Sequence, residues 1–230
     1  MPPTEFIWLT ARETKSTPQC CDDVQRALSV QDEWFARAGP YSSIPGGSRP
    51  SGVALWQQIE DATVYLMAGR SASTEQHQQW QRSEDAASFS KCLEAHFIWD
   101  KSTSILVDDE GSAILTSPSA EVETPLLDSP VISVGRCSAA PGDRAAFAEN
   151  WNSVKGLLED FAKPHSVKGA WRVKGEADAA ESDEEFVMLC GWPSVERHME
   201  FATWAEFPRY STALREKLRG ADIKHYRRVV

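Results

Sequence analysis

The chain has 230 residues, of which 41% are hydrophobic and 25% charged, which is the composition of a folded globular protein rather than a disordered one. A net charge of −10 excludes the basic field that a nucleic acid or an anionic membrane surface requires. The sequence has no apolar run of the ~18 residues that a membrane span needs, and Met1-Pro-Pro-Thr-Glu5 lacks the basic and apolar regions of a signal peptide, so the expectation is a cytoplasmic protein. Cys20, Cys21, Cys92, Cys137 and Cys190 form an odd set without metal-ligand spacing, read here as reduced thiols.

Glu5 to Arg12, rich in β-branched and aromatic residues and apolar on both faces, reads as a buried strand. A helix follows from Pro18, with Val24, Ala27, Leu28, Gln31, Trp34, Phe35 and Ala38 on one stripe and Gly39 at its end. Pro40 to Ser51 is too rich in proline, glycine and serine to be anything but a loop. Val53–Ile59 and Thr63–Ala68 fit an antiparallel hairpin. A helix capped by Ser73 runs to about Ala95, and Phe97–Val107 reads as a closing strand. The order is strand, helix, strand, strand, helix, strand, a ferredoxin-like βαββαβ unit over residues 1–107.

Residues 108–130 are serine-, proline- and acid-rich and read as a linker. The order then repeats over 131–230. Val131–Gly135 is a strand; Asp143 opens a helix with the stripe Phe147, Trp151, Val154, Leu157, Leu158 and Phe161; and Ser166–Lys174 is a strand with one polar face. After the acidic loop Gly175–Asp183 comes Glu184–Cys190, then a helix from Ser194 that Pro208 is expected to break, and Asp222–Val230 as the last strand.

The two halves share more than their order. Ser73, Glu75, His77, Trp80 and Phe89 recur 121 residues later as Ser194, Glu196, His198, Phe201 and Tyr210, without a gap. An internal repeat of this kind decides architecture before local propensity does. The expected fold is α+β: tandem ferredoxin-like units whose uncovered sheet faces meet in an intramolecular barrel with room for a small molecule.

This order, with Ser-x-Glu after a short apolar strand and a broken helix with an aromatic end, resembles the dimeric α/β barrel superfamily. Its members include antibiotic biosynthesis monooxygenases, stress-responsive barrel proteins and a plant polyketide cyclase. The resemblance implies an enzyme of secondary metabolism that takes a proton from an apolar aromatic or polyketide-type substrate and oxygenates it, without cofactor or metal, as a monomer or homodimer. The alternatives are a cyclase, isomerase or decarboxylase, or a binding protein whose barrel is filled. At the position of the cyclase's histidine this chain has Ala86 and Phe207, so that mechanism does not carry over.

A base must come from elsewhere. His225 alternates with Ile223 on the last strand and is the candidate base; Arg172 is the candidate for holding a carboxylate or enolate. Trp8, Trp56, Tyr65, Trp192 and Tyr226 are the candidate walls of the substrate site. His77 and His198, near helix starts and beside the apolar stripe, are expected at the surface.

Overall fold

A computed structural model of the protein describes residues 3–14, 18–38, 53–108, 115, 123–175 and 182–229. The expected loop over 40–51, much of the expected linker and most of the acidic loop after Gly175 lie outside the described residues. By its contacts the chain divides into two units, Met1–Ser117 with Tyr226–Val230, and Pro118–His225.

Unit one contains β1 (Thr4–Thr10), α1 (Pro18–Ala38), β2 (Ala54–Gln58), β3 (Val64–Arg70), α2 (Thr74–Gln81), α3 (Glu84–Leu93) and β4 (Thr103–Val107). Its strands lie antiparallel in the order β4-β1-β3-β2, and Tyr226–Arg228 pair with β2. The period-2 alternation of strand side chains sorts the two faces. Leu9, Leu55, Tyr65 and Met67 pack with Val24, Leu28 and Phe35 of α1, Trp80 of α2 and Phe89 and Leu93 of α3. Phe6, Trp8, Trp56 and Leu66 fall on the other face, where Leu66 stands opposite both Trp8 and Trp56.

Unit two contains β5 (Val131–Ala139), α4 (Arg144–Ala162), β6 (Val167–Trp171), β7 (Glu184–Trp192), α5 (Val195–Phe201), α6 (Phe207–Arg215) and β8 (Leu218–Arg228) up to His225, the rest of β8 belonging to unit one. The strand order is β8-β5-β7-β6, the same permutation as in unit one. Its core sets Cys137, Trp171, Phe186, Cys190 and Trp192 of the sheet against Phe147, Trp151, Val154 and Leu158 of α4, Phe201 of α5, and Tyr210 and Leu214 of α6.

Three local expectations are corrected. Phe97–Val107 is not one strand: Phe97 makes an isolated bridge to Ala11, a 3₁₀ turn covers Trp99–Lys101, and β4 starts only at Thr103. Asp143 stands at the N-cap of α4 with a helical backbone and no capping bond; its carboxylate lies 3.7 Å from Lys217 Nζ. Pro208 does not break a helix from within. The break falls over 202–206, and Pro208 sits in the first turn of α6, where its missing N–H costs nothing. Unit one breaks its helix at the same point without a proline, because Ser83 caps α3 through the Ala86 N–H. Among the described residues no helix is long and apolar enough to cross a membrane.

Candidate active site

The repeated serines begin the site. Ser73 and Ser194 have nearly identical extended backbones, φ −157° and −160°, and their hydroxyls accept the N–H of Gln76 and Arg197. Four residues past each cap comes a histidine, whose N–H donates to the capping residue's carbonyl. A helical Cα–Cβ bond leans toward the helix N-terminus, so this side chain is carried back over the strand end from which the helix springs. His77 is therefore buried, at 6% exposure, and His198 half-buried, against the surface placement expected of both.

In unit one His77 faces Glu5 of β1, with Nε2 at 3.9 Å from the carboxylate, too long for a hydrogen bond. Burial pushes the Glu5 carboxyl up to about 7 from an ordinary 4.5, and pulls His77 below its ordinary 6.5. Both shifts favour the uncharged forms, so burial works against an ion pair between them. Glu5 opens into a recess of about 560 Å³ between the sheet and the α2–α3 turn. Its walls include Trp80, Phe89 and Trp99, and Ser83 and Ala86 leave it open. Arg82, at the C-cap of α2, stands exposed on its lining, and the buried Trp99 Nε1–H has no acceptor among the described residues. A carboxyl poised near neutral pH, in a recess with aromatic walls, is the arrangement of a general base.

Unit two builds the same place differently. Glu5 stands opposite Gly69, and Ser133 stands opposite Cys190, the residue 121 positions beyond Gly69, so serine replaces the acid. Ser133 Oγ accepts the indole N–H of Trp192 at 2.9 Å. Trp192 stacks on His198 with ring centres 4.5 Å apart and planes 13° from parallel. His198 Nδ1 then meets His225 Nε2 at 2.7 Å, a single hydrogen bond with one proton between two rings. Burial, and then the neighbouring His225, bring His198 down to about 4, so it is neutral at physiological pH. Where unit one has Ser83 and Ala86, unit two has Trp204 and Phe207, whose rings pack on Phe201 at 5.9 and 5.3 Å. Bulk fills the position that unit one leaves empty. The hollow of about 420 Å³ that unit two does have lies elsewhere, around Lys163, His165 and Lys168.

The residues singled out from sequence separate. His225 and Trp192 meet through His198 in unit two. Trp8 donates its indole N–H to Tyr226 Oη at 3.1 Å in unit one, on the face away from the helices. Trp56 shares that face and is buried, with no acceptor for its N–H among the described residues. Tyr65 packs edge-on against Phe97 in the helix-side core and accepts from Gln57. Arg172 lies 3.6 Å from Glu185, which also pairs with Arg136. None of these seven lines the unit-one recess. Sequence reading missed Glu5, Arg82 and Trp99; the available signal was one acid in an otherwise apolar strand, on the same face as Ile7 and Leu9. Among the described residues no group of three or more His, Cys, Asp or Glu side chains is placed to hold a metal ion.

No protein-family model matches the chain, and no curated protein matches it. Solved structures do, over nearly the whole length. An anthrone oxidase-like protein aligns with a TM-score of 0.61 at 9% identity, covering 100% of this chain and 92% of its own. A candidate monooxygenase from Fusobacterium nucleatum aligns at 0.59 and 9% identity, covering 100% and 93%. A second, from Lactobacillus acidophilus, aligns at 0.57 and 11% identity, covering 99% and 93%. The chain has the fold of the dimeric α/β barrel superfamily. Within the chain the two repeats have kept the backbone of the site, down to the serine cap and the histidine behind it. They have parted in side chains: unit one holds an acid in an open recess, unit two a histidine pair behind packed rings.

Proposed function

We propose that this protein is a small-molecule enzyme of the monooxygenase type, in which Glu5 takes a proton from an aromatic or polyketide-type substrate held in the unit-one recess. The carbanion so formed reacts with dioxygen: one oxygen atom enters the substrate as a carbonyl and the other leaves as water. The observation that carries the reading is the position of Glu5, largely buried yet lining a recess walled by Trp80, Phe89 and Trp99. A carboxyl with a proton affinity near 7 is matched to abstraction at physiological pH, and flat aromatic walls suit a conjugated substrate. The superfamily fold, and neighbours described as monooxygenases and anthrone oxidase-like, support the same class of chemistry, with fold alone a modest warrant.

Oxygen consumption with anthrone-type and phenolic substrates, on the wild type and Glu5→Gln, tests it. Uptake that matches product and falls at least about 100-fold in Glu5→Gln is the expected result. Product formed without oxygen uptake makes the chain a cyclase, isomerase or decarboxylase. Equal rates in both proteins remove Glu5 from the mechanism.

A further inference from the structure

The polar groups around the recess are unevenly matched. Arg82 has no ion-pair partner among the described residues, although it lines a recess that also contains an acid. The Trp99 indole N–H is buried without an acceptor among the described residues, a condition that proteins avoid because it costs the desolvation of the donor. Ser83, by contrast, is already satisfied: its hydroxyl accepts the Ala86 N–H and donates to the Trp80 carbonyl. Ser83 therefore needs nothing from a ligand, and Arg82 is the cation on the lining left without an ion-pair partner among the described residues.

Resting on the proposal that the recess is the substrate site, we infer that its ligand is an anionic aromatic, a carboxylate or phenolate on a flat ring system, with the anionic oxygen at Arg82. The charge belongs on the Arg82 side, because Arg82 comes from the α2–α3 turn whereas Glu5 comes from the sheet. A second anion beside the Glu5 carboxyl would hold its proton more tightly and oppose its action as a base. The guanidinium offers a planar, two-pronged donor that fits a carboxylate and still binds a phenolate through one arm. Trp80 and Trp99 contribute contact area with few rotamers to freeze. Unit two keeps aromatic rings at the positions of Trp80 and Phe89 but lacks the cation and the small residues: its counterparts of Arg82, Ser83 and Ala86 are Thr203, Trp204 and Phe207.

The test compares 2-naphthoate with 2-naphthamide, which has the same shape without the charge, by quenching of tryptophan fluorescence and by calorimetry. Wild type is expected to bind the carboxylate about tenfold more tightly, and Arg82→Gln to lose that preference while retaining its affinity for the amide. Arg82 is exposed and caps α2 only through its backbone, so the variant keeps its fold; circular dichroism checks this. Equal affinity for the two compounds in wild type, a preference that survives in Arg82→Gln, or binding of neither compound overturns the inference. Oxygen uptake that depends on Glu5 but shows no charge preference defeats the inference alone. Charge-selective binding with turnover indifferent to Glu5→Gln defeats the proposed reaction and leaves the binding site standing.

Discussion

The two helix starts make a controlled comparison within one chain. Backbone, capping serine and histidine are the same, while most of the side chains around them differ. In unit one the histidine faces a carboxyl whose pKa burial raises to about 7, next to small side chains. In unit two it faces a second histidine and a stacked indole, next to large rings. On the proposed function one copy of the unit carries the chemistry and the other is packing, with the serine cap kept and the aromatic positions still aromatic. Unit two has neither the acid nor the small side chains: Ser133, Trp204 and Phe207 stand where unit one has Glu5, Ser83 and Ala86.

The largest expected effect is on turnover. Glu5→Gln should lower it by about 10²- to 10³-fold, and the wild-type rate should rise with pH through about 7 as the carboxylate forms. A rate that falls over that range would mean that Glu5 acts as an acid. In unit two, Trp204→Ser together with Phe207→Ala, the residues of unit one, should cost stability. Both rings are partly buried in the core, and losses of about 2 kcal/mol each are expected in urea unfolding. A loss well below that would show the rings to be surface decoration rather than a plug.

The two sites should also respond oppositely to pH. The raised Glu5 pKa means that between about 4.5 and 7 the folded chain holds a proton which the unfolded chain has released, so stability falls as pH rises through that window. The shift corresponds to about 3 kcal/mol, which Glu5→Gln should largely restore at pH 8. His198 works the other way. Between about 4 and 6.5 the unfolded chain takes up a proton that the folded chain refuses, so stability falls as pH drops. Because the two windows overlap, His198→Gln should remove the contribution that falls as pH drops and Glu5→Gln the one that falls as pH rises; the reverse assignment would break the comparison. The smallest effect is a shared one. Ser73→Ala and Ser194→Ala should each cost about 1 kcal/mol, since each removes one capping bond of the same geometry.

Much of the fold was legible because the signals were periodic. The stripe from Val24 to Phe35, the stripe from Phe147 to Leu158, and the ungapped spacing from Ser73 to Phe89 and from Ser194 to Tyr210 are consequences of 3.6-residue helical geometry that a sequence displays directly. The site was not legible in the same way. Glu5 lies in a strand that reads as apolar on both faces, and only the position of α2 shows that its side of the sheet is both buried and open to a ligand. The pair Ala86 and Phe207 was visible as a missing histidine, yet its role is one of volume, which depends on what stands opposite. His77 and His198 were misplaced because a helical wheel ignores the backward lean of the first-turn side chain.

The central claim is that small side chains at 83 and 86 keep the unit-one recess open for a ligand. The direct measurement is the affinity for 2-naphthoate of a variant carrying Ser83→Trp and Ala86→Phe, the residues of unit two, alongside its circular dichroism and melting temperature. The account predicts a folded protein, lower in stability by about 1 kcal/mol for the lost Ser83 cap, whose binding is lost; undiminished binding by that folded variant would contradict it.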